Sequence, residues 1–543
     1  MVEIAPSRRY VSSLVSNNAN VLMGVIILTS VVDSLTLGYD GSLMGSLNVM
    51  SSYKSYIAPT TALISLNGSI TYVGGICSAF ISSAVINWRG RKWGMLIAAI
   101  IQIIGAALQG GAVNVGMFIV GRFFIGAGSG FSAVAAPTYV AETSRPEWRA
   151  FTLGMYYTCW AVGTLIASGV CYGTENINNN WAWRAPSLLQ ALPSIFCIII
   201  LVFIPESPRW LAYQDRDEDC LEVLSVVNGL PADHPIVQLQ YREVKETIDF
   251  EKTSGATLGA KELIKNHGNR KRLFVSASVA PLVMLTGSNI ITFYFGTMLT
   301  DAGISDASTQ LQINVILSAW QLVCGVIGSM LAERIGRKWL AAGSTIVATI
   351  FLYMLGKLPR GVLKYRTDCF TGGLTAAYGT SNNQSGVYGT VACIFLFLGA
   401  YSFGLTPLTV IYPPEVLSYS MRASGMGVYT ILAKTCGIFV VSFPLTNAKL
   451  FTADFHVQTW VFPYMFDAIG WKTYIVNASW NLLFVLLIVF YWVETKDLTL
   501  EEIDERFDGV KHAGVPNLEL WKRGKADLEE DAVITEQVIL TKM

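Results

Sequence analysis

Gly38-Tyr39-Asp40-Gly41-Ser42-Leu43-Met44 lies inside an apolar run, residues 22–47, long enough to cross a bilayer. A span needs about 20 predominantly apolar residues, and an ionisable side chain at membrane depth costs roughly 2.5–3.5 kcal/mol on insertion scales. A charge retained against that cost marks a functional site. Further along, Arg122 follows Gly121 at the head of another such run. Two groups of opposite sign, each beside glycine, suggest a proton-responsive pair in a transporter. The structural alternative is that each side chain merely reaches out to an interface.

Ten further runs of similar length accompany these two. The expected spans are 22–47, 61–86, 93–113, 115–137, 151–173 and 185–205, then 273–299, 311–333, 339–357, 387–412, 424–446 and 471–493. The bulk composition agrees. Of 543 residues, 52% are hydrophobic and 14% charged, against about 25% charged in soluble domains, and mean hydropathy is +0.46. Charges cluster in short connectors and in one central segment, 206–272, which is too polar to span and has helix-like patches. Lys and Arg balance Asp and Glu at 38 each, which gives no support for a nucleic-acid partner. Nine cysteines are scattered without metal-ligand spacing and read as small apolar residues.

Positive charge sets the orientation. Arg89, Arg91 and Lys92 lie between the second and third spans, Arg145 and Arg149 between the fourth and fifth, and Arg334, Arg337 and Lys338 between the eighth and ninth. The central segment and both termini fall on this same side, expected to be cytoplasmic. Asn383, in Asn383-Gln384-Ser385, would then face outward and could carry a glycan, whereas Asn67 and Asn477 sit inside spans.

The two halves repeat. Gly90-Arg91-Lys92 after the second span matches Gly336-Arg337-Lys338 after the eighth. Glu142 and Arg149 are separated as are Glu415 and Arg422, and Pro205-Glu206-Ser207 is echoed by Val493-Glu494-Thr495. Two six-helix halves with corresponding motifs suit alternating access, one half rocking on the other around a midplane site.

With Trp183-Arg184-Ala185-Pro186 and Gln190, Pro205-Glu206-Ser207-Pro208-Arg209-Trp210, Gly287-Ser288-Asn289 and Tyr412-Pro413-Pro414-Glu415 added, the chain resembles the sugar-porter family of the major facilitator superfamily, and within it the fungal lactose-permease and hexose-transporter branch. The resemblance implies an all-α membrane protein of twelve transmembrane helices in two pseudo-symmetric six-helix bundles. It divides the chain into a cytoplasmic N-terminus (1–21), an N-terminal bundle (22–205), an intracellular helical insert (206–272), a C-terminal bundle (273–493) and a cytoplasmic tail (494–543). It implies a proton-coupled symporter of a sugar or sugar-like solute in the plasma membrane, working as a monomer without cofactor. Asp40 would be the proton-titrating carboxylate and Arg122 its partner. Arg91, Glu142, Arg149, Glu206, Arg209, Glu333, Arg337, Glu415, Arg422 and Glu494 would form a cytoplasmic charge network latching the halves.

The substrate-binding pattern is partly kept. Asn289 and Tyr294 conform, and Gln190 is counted with them. Gln321 stands where asparagine is usual and Tyr157 where an amide is common, while Val283, Met284 and Val410 replace two glutamines and a tryptophan. Fewer amides mean fewer hydrogen bonds to a polyol.

Lys434 is an addition, twelve residues in from Arg422 and hence roughly 18 Å along its helix, near the middle of a ~30 Å core. Three readings stand: an ion pair with Asp33, a contact to a substrate carboxylate or phosphate, or a neutral amine in an apolar niche. The alternatives to sugar symport are accordingly transport of an anionic carbon source or secondary metabolite, and a non-transporting nutrient sensor. No nucleophile, metal cluster or cofactor loop suggests an enzyme.

Overall fold

A computed structural model describes residues 10–11, 14–16, 18–57, 61–145, 152–156, 158–253, 262–289, 291–292, 296, 299, 306–355, 384–441, 472–496, 503 and 506–507. Its regular structure, among these residues, is helical. Eight segments are long and apolar enough to cross a membrane: Ala19–Leu47, Leu66–Arg89, Arg91–Gly110, Val115–Thr143, Thr152–Thr174, Trp181–Leu201, Ala307–Ala332 and Val391–Val416. Helices His267–Leu285, Arg337–Leu355, Tyr419–Val441 and Lys472–Tyr491 overlap the other four expected spans.

The membrane helices that bear on function are α1 (Ala19–Leu47), α3 (Thr61–Arg89), α4 (Arg91–Gly110) and α5 (Val115–Thr143) in the first half, with α2 (Ser51–Tyr56) a short connector. Their starts are written locally. Asn18 caps α1 by accepting from the Asn20 amide, and Asn114 caps α5 by accepting from Met117 at 2.8 Å; such side-chain acceptors satisfy amides that a helix start leaves without partners. The sixth span is two helices, α7 (Trp181–Leu189) and α8 (Ala191–Leu201), after α6 (Trp160–Thr174). Pro193 lacks the N–H that a continuous helix would need, and the break falls at Gln190.

Four helices occupy the polar central segment: α9 (Pro208–Tyr213), α10 (Asp217–Asn228), α11 (Pro235–Thr253) and α12 (Glu262–Lys265). Glu222 of α10 accepts from the Tyr10 amide at 2.8 Å, and Arg145, beyond the end of α5, donates through Nε to the Val227 carbonyl at 2.9 Å. The insert is thus tied both to the N-terminal segment and to the end of the fourth span.

The second half holds α13 (His267–Leu285), α14 (Ala307–Ile335), α15 (Arg337–Leu355), α16 (Gln384–Val416), α17 (Tyr419–Val441) and α18 (Lys472–Tyr491). The halves meet along two seams. In one, α3 packs on α17, where Ser83 donates to the Ala423 carbonyl at 3.0 Å. In the other, the fifth span packs on α14, where Asn314 donates to Ser168 at 3.1 Å. The functional groups lie between these seams.

Candidate functional site

Asp40 on α1 and Arg122 on α5 form an ion pair through Asp40 Oδ1 and Arg122 Nη1. Arg122 is 2% exposed and also donates through Nε to the Asn67 carbonyl at 3.3 Å; Asp40 is 14% exposed. The carboxylate therefore keeps one face open while the guanidinium is enclosed. That face borders a cavity of about 170 Å³ between the two halves, lined among others by Tyr72, Trp160, Asn289, Thr292, Thr430 and Lys434. The volume is below the roughly 300–1,000 Å³ typical of drug-sized ligand pockets, which restricts the occupant of this conformation to a small solute. A charged pair in a medium of low dielectric is strong only while the partners stay together, so the contact ties α1 to α5 at the cavity wall.

The expected substrate residues divide three ways. Asn289 lines this cavity, its amide donating to the Met284 carbonyl at 3.2 Å, and it shares a smaller neighbouring void of about 40 Å³ with Gln321. Tyr157 and Tyr294 lie outside the described residues. Gln190 departs from the expectation: it is 2% exposed at the α7–α8 junction and is not among the residues lining either cavity. It is buried where the two helices of the sixth span meet, at the break that Pro193 imposes. Val283 lines the smaller void, Val410 the larger and Met284 both. Sequence reasoning missed Tyr156, Thr430, Ser129 and Tyr72 as lining residues. Helical spacing from Arg122 would have found Ser129, seven positions on and so nearly on the same face.

The Asp33–Lys434 pair does not form. Asp33, 4% exposed, accepts from Ser132 and from the Tyr156 hydroxyl at 2.9 Å, both inside the N-terminal half. Lys434 instead donates to Ser129 at 3.0 Å. Asp33 and Asp40 share a face of α1 but stand two turns apart, about 10 Å along the axis, and Lys434 lines the cavity that Asp40 borders. A double-mutant cycle checks this. Asp33→Ala and Lys434→Ala should be additive in thermal stability to within about 0.5 kcal/mol, as for groups without shared partners. Mutual rescue would restore the pairing.

The charge network at the end of the bundle that bears the insert is built twice. Arg91 Nε meets Glu142 Oε2 at 2.9 Å, and Ser207 donates to the same carboxylate at 2.6 Å. In the second half Arg337 meets Glu415 at 3.2 Å, and Thr495 donates to Glu415 at 2.9 Å. Glu206 accepts the Arg91 amide at 3.0 Å, and Glu494 accepts the Arg337 amide at 2.8 Å, so each closes the start of the matching helix. Burial pushes the Glu206 carboxyl above its ordinary value, while the Ser207, Lys92 and Arg91 amides act against that rise. Arg422 crosses between halves to Glu142 at 3.5 Å. Arg209 is buried at the start of α9. Arg149 and the Glu333 side chain lie outside the described residues.

Gly90 and Gly336 make these caps feasible. Their φ angles are +104° and +97°, a region that side chains disfavour. A Cβ on Gly90 would strike Glu206 Oε2, and one on Gly336 would come within 2.7 Å of Glu494 Oε2. Gly90→Ala should cost about 1–3 kcal/mol through backbone strain plus loss of the cap. Thermal unfolding in lipid nanodiscs reads this out, and an unchanged midpoint would remove the cap from the account.

Comparison with known proteins adds the family context. The family model described as "Sugar (and other) transporter" matches residues 25–507. The high-affinity glucose transporter of Kluyveromyces lactis is 28% identical over 505 residues, covering 92% of this chain and 86% of that one. A probable quinate permease of Aspergillus clavatus is 27% identical over 503 residues, with 89% and 88% covered. Among solved structures, the major facilitator superfamily proton:xylose symporter XylE, bound to 6-bromo-6-deoxy-D-glucose, aligns with a TM-score of 0.73 at 18% identity, covering 90% of this chain and 99% of that one. At that identity the likeness establishes the fold.

Proposed function

This chain belongs to the sugar (and other) transporter family, and from that premise we propose that it is a proton-coupled symporter moving a sugar or sugar-like solute by alternating access. The observation that carries the reading is the Asp40–Arg122 pair opening onto the cavity between the halves. Protonation of Asp40 releases Arg122, loosens α1 from α5 and couples the proton to the direction in which the cavity opens. Asn289 and Gln321 supply amides for hydroxyl groups, and Trp160 offers an apolar face for a ring. The doubled network forms the gate at one end, with Arg422–Glu142 as a link across the halves. The protein works as a monomer in the plasma membrane with both termini cytoplasmic. That orientation follows from the Lys and Arg bias of its connectors.

The test is reconstitution into liposomes containing a pH indicator. Addition of the transported solute under an inward proton gradient should bring protons and solute in together. If a broad panel of sugars and hydroxy acids moves no protons, symport is wrong. A second reading, transport of an anionic carbon source or secondary metabolite, is favoured by one observation: the Lys434 amine at the cavity wall.

A further inference from the structure

Building on the symporter reading, we propose that the solute is a small polyhydroxylated monocarboxylate, held through its carboxylate by Lys434. The site for that carboxylate is constructed from both halves. Lys434 is the sixteenth residue of the 23-residue helix Tyr419–Val441, too far from either end for an ammonium to reach water along the helix. Its stem lies across Gly75 of α3, where an added Cβ would come within 2.9 Å of Lys434 Cε and 3.0 Å of Cδ. Any larger residue at Gly75 would push the stem out of this groove. The amine ends against Ser129 Oγ at 3.0 Å and lies 5.7 Å from the centroid of the Tyr72 ring.

These contacts are all neutral. The Ser129 hydroxyl itself donates to the Gly126 carbonyl at 2.8 Å, leaving its lone pairs for the amine. No described carboxylate lies within 4.0 Å of Lys434, and Asp33 is engaged elsewhere. Asp40, the carboxylate on the same cavity, is already matched by Arg122. The chamber thus holds two positive groups, Arg122 and Lys434, and one carboxylate, Asp40, which is in contact with Arg122 and attracts Lys434 only from a distance. Buried charges are stable when paired, and a solute anion completes the count. A single ammonium matches one negative charge, which fits a carboxylate better than a phosphate dianion. Asn289, Thr292 and Thr430 on the same wall can meet the hydroxyls of such a solute.

The charge of the cargo also decides what drives it. A neutral sugar entering with one proton carries net charge and responds to membrane potential. A monocarboxylate entering with one proton is electroneutral and responds to the pH gradient alone.

The experiment compares galacturonate with galactose, which differ by a carboxylate in place of a hydroxymethyl group. Binding is read from tryptophan fluorescence, since Trp160 lines the chamber, and transport from proton entry into liposomes. Wild type should bind galacturonate at least roughly tenfold more tightly than galactose, the scale of one charge-assisted hydrogen bond. Lys434→Met should erase that preference and Lys434→Arg should keep part of it. Galacturonate-driven proton entry should be insensitive to a valinomycin-set potential. A galactose preference in wild type, or an acid preference untouched in Lys434→Met, overturns the proposal. Should Lys434→Met fail to fold, the potential dependence in wild type decides by itself. If galactose moves protons and galacturonate neither binds nor competes, the carboxylate assignment fails and symport stands. If neither moves protons, symport fails and this inference with it.

Discussion

Asp40→Asn is expected to reduce concentrative uptake to simple equilibration. With one proton per turnover, a gradient of one pH unit supports about a tenfold accumulation of solute, the ratio set by 1.36 kcal/mol per unit. The asparagine variant should stop at a ratio of about 1 under the same gradient, since an amide offers Arg122 an acceptor but cannot take up a proton. Exchange of labelled for unlabelled solute without a gradient should persist, because it requires the cavity and the rocking motion rather than the proton. That pairing of results separates lost coupling from lost folding. A variant that still accumulates tenfold would remove Asp40 from the coupling mechanism. One that loses exchange as well would make the pair an architectural element.

Glu142→Gln is the second large effect. Glu142 faces Arg91 from its own half and Arg422 from the other, and the side chains of the three residues are 0–1% exposed. Removing one charge leaves two buried guanidinium groups without it. Breaking a buried pair by deleting one partner costs about 3–5 kcal/mol because of the stranded charge, and thermal unfolding in nanodiscs should show a loss of that order. The variant should also open more readily at this end. Ser83, which bonds the Ala423 carbonyl across the α3–α17 seam, reports on it: Ser83→Cys should label faster with a maleimide in the glutamine background. Equal labelling rates would mean that Glu142 stabilises its own half without latching the two together.

The spans could be read because membrane depth demands long apolar runs, and the repeated Gly-Arg-Lys and acidic motifs marked corresponding ends of the two halves. The Asp40–Arg122 contact was foreseeable because opposite charges inside apolar runs need partners and the family resemblance paired these two. The Asp33–Lys434 pairing failed because spacing along one helix says nothing of the register of its neighbours. Asp33 lies one seven-residue step from Asp40, yet its carboxylate is taken up by Ser132 and Tyr156 of its own half. Gln190 was misplaced for a related reason. A proline three residues on breaks the helix at that point, so helical spacing did not carry through to the side chain. The Gly75 groove had no sequence signal at all, because a glycine in a small-residue stripe reads as ordinary helix packing.

Lys434 is carried by one half and rests its stem on a glycine of the other. Any tilt between the bundles must therefore slide that stem along its track and drag the ammonium past the hydroxyl that steadies it. The cargo's handle would ride on the moving joint, so that loading and travel are mechanically a single event, and a bulky side chain in the track should jam both at once.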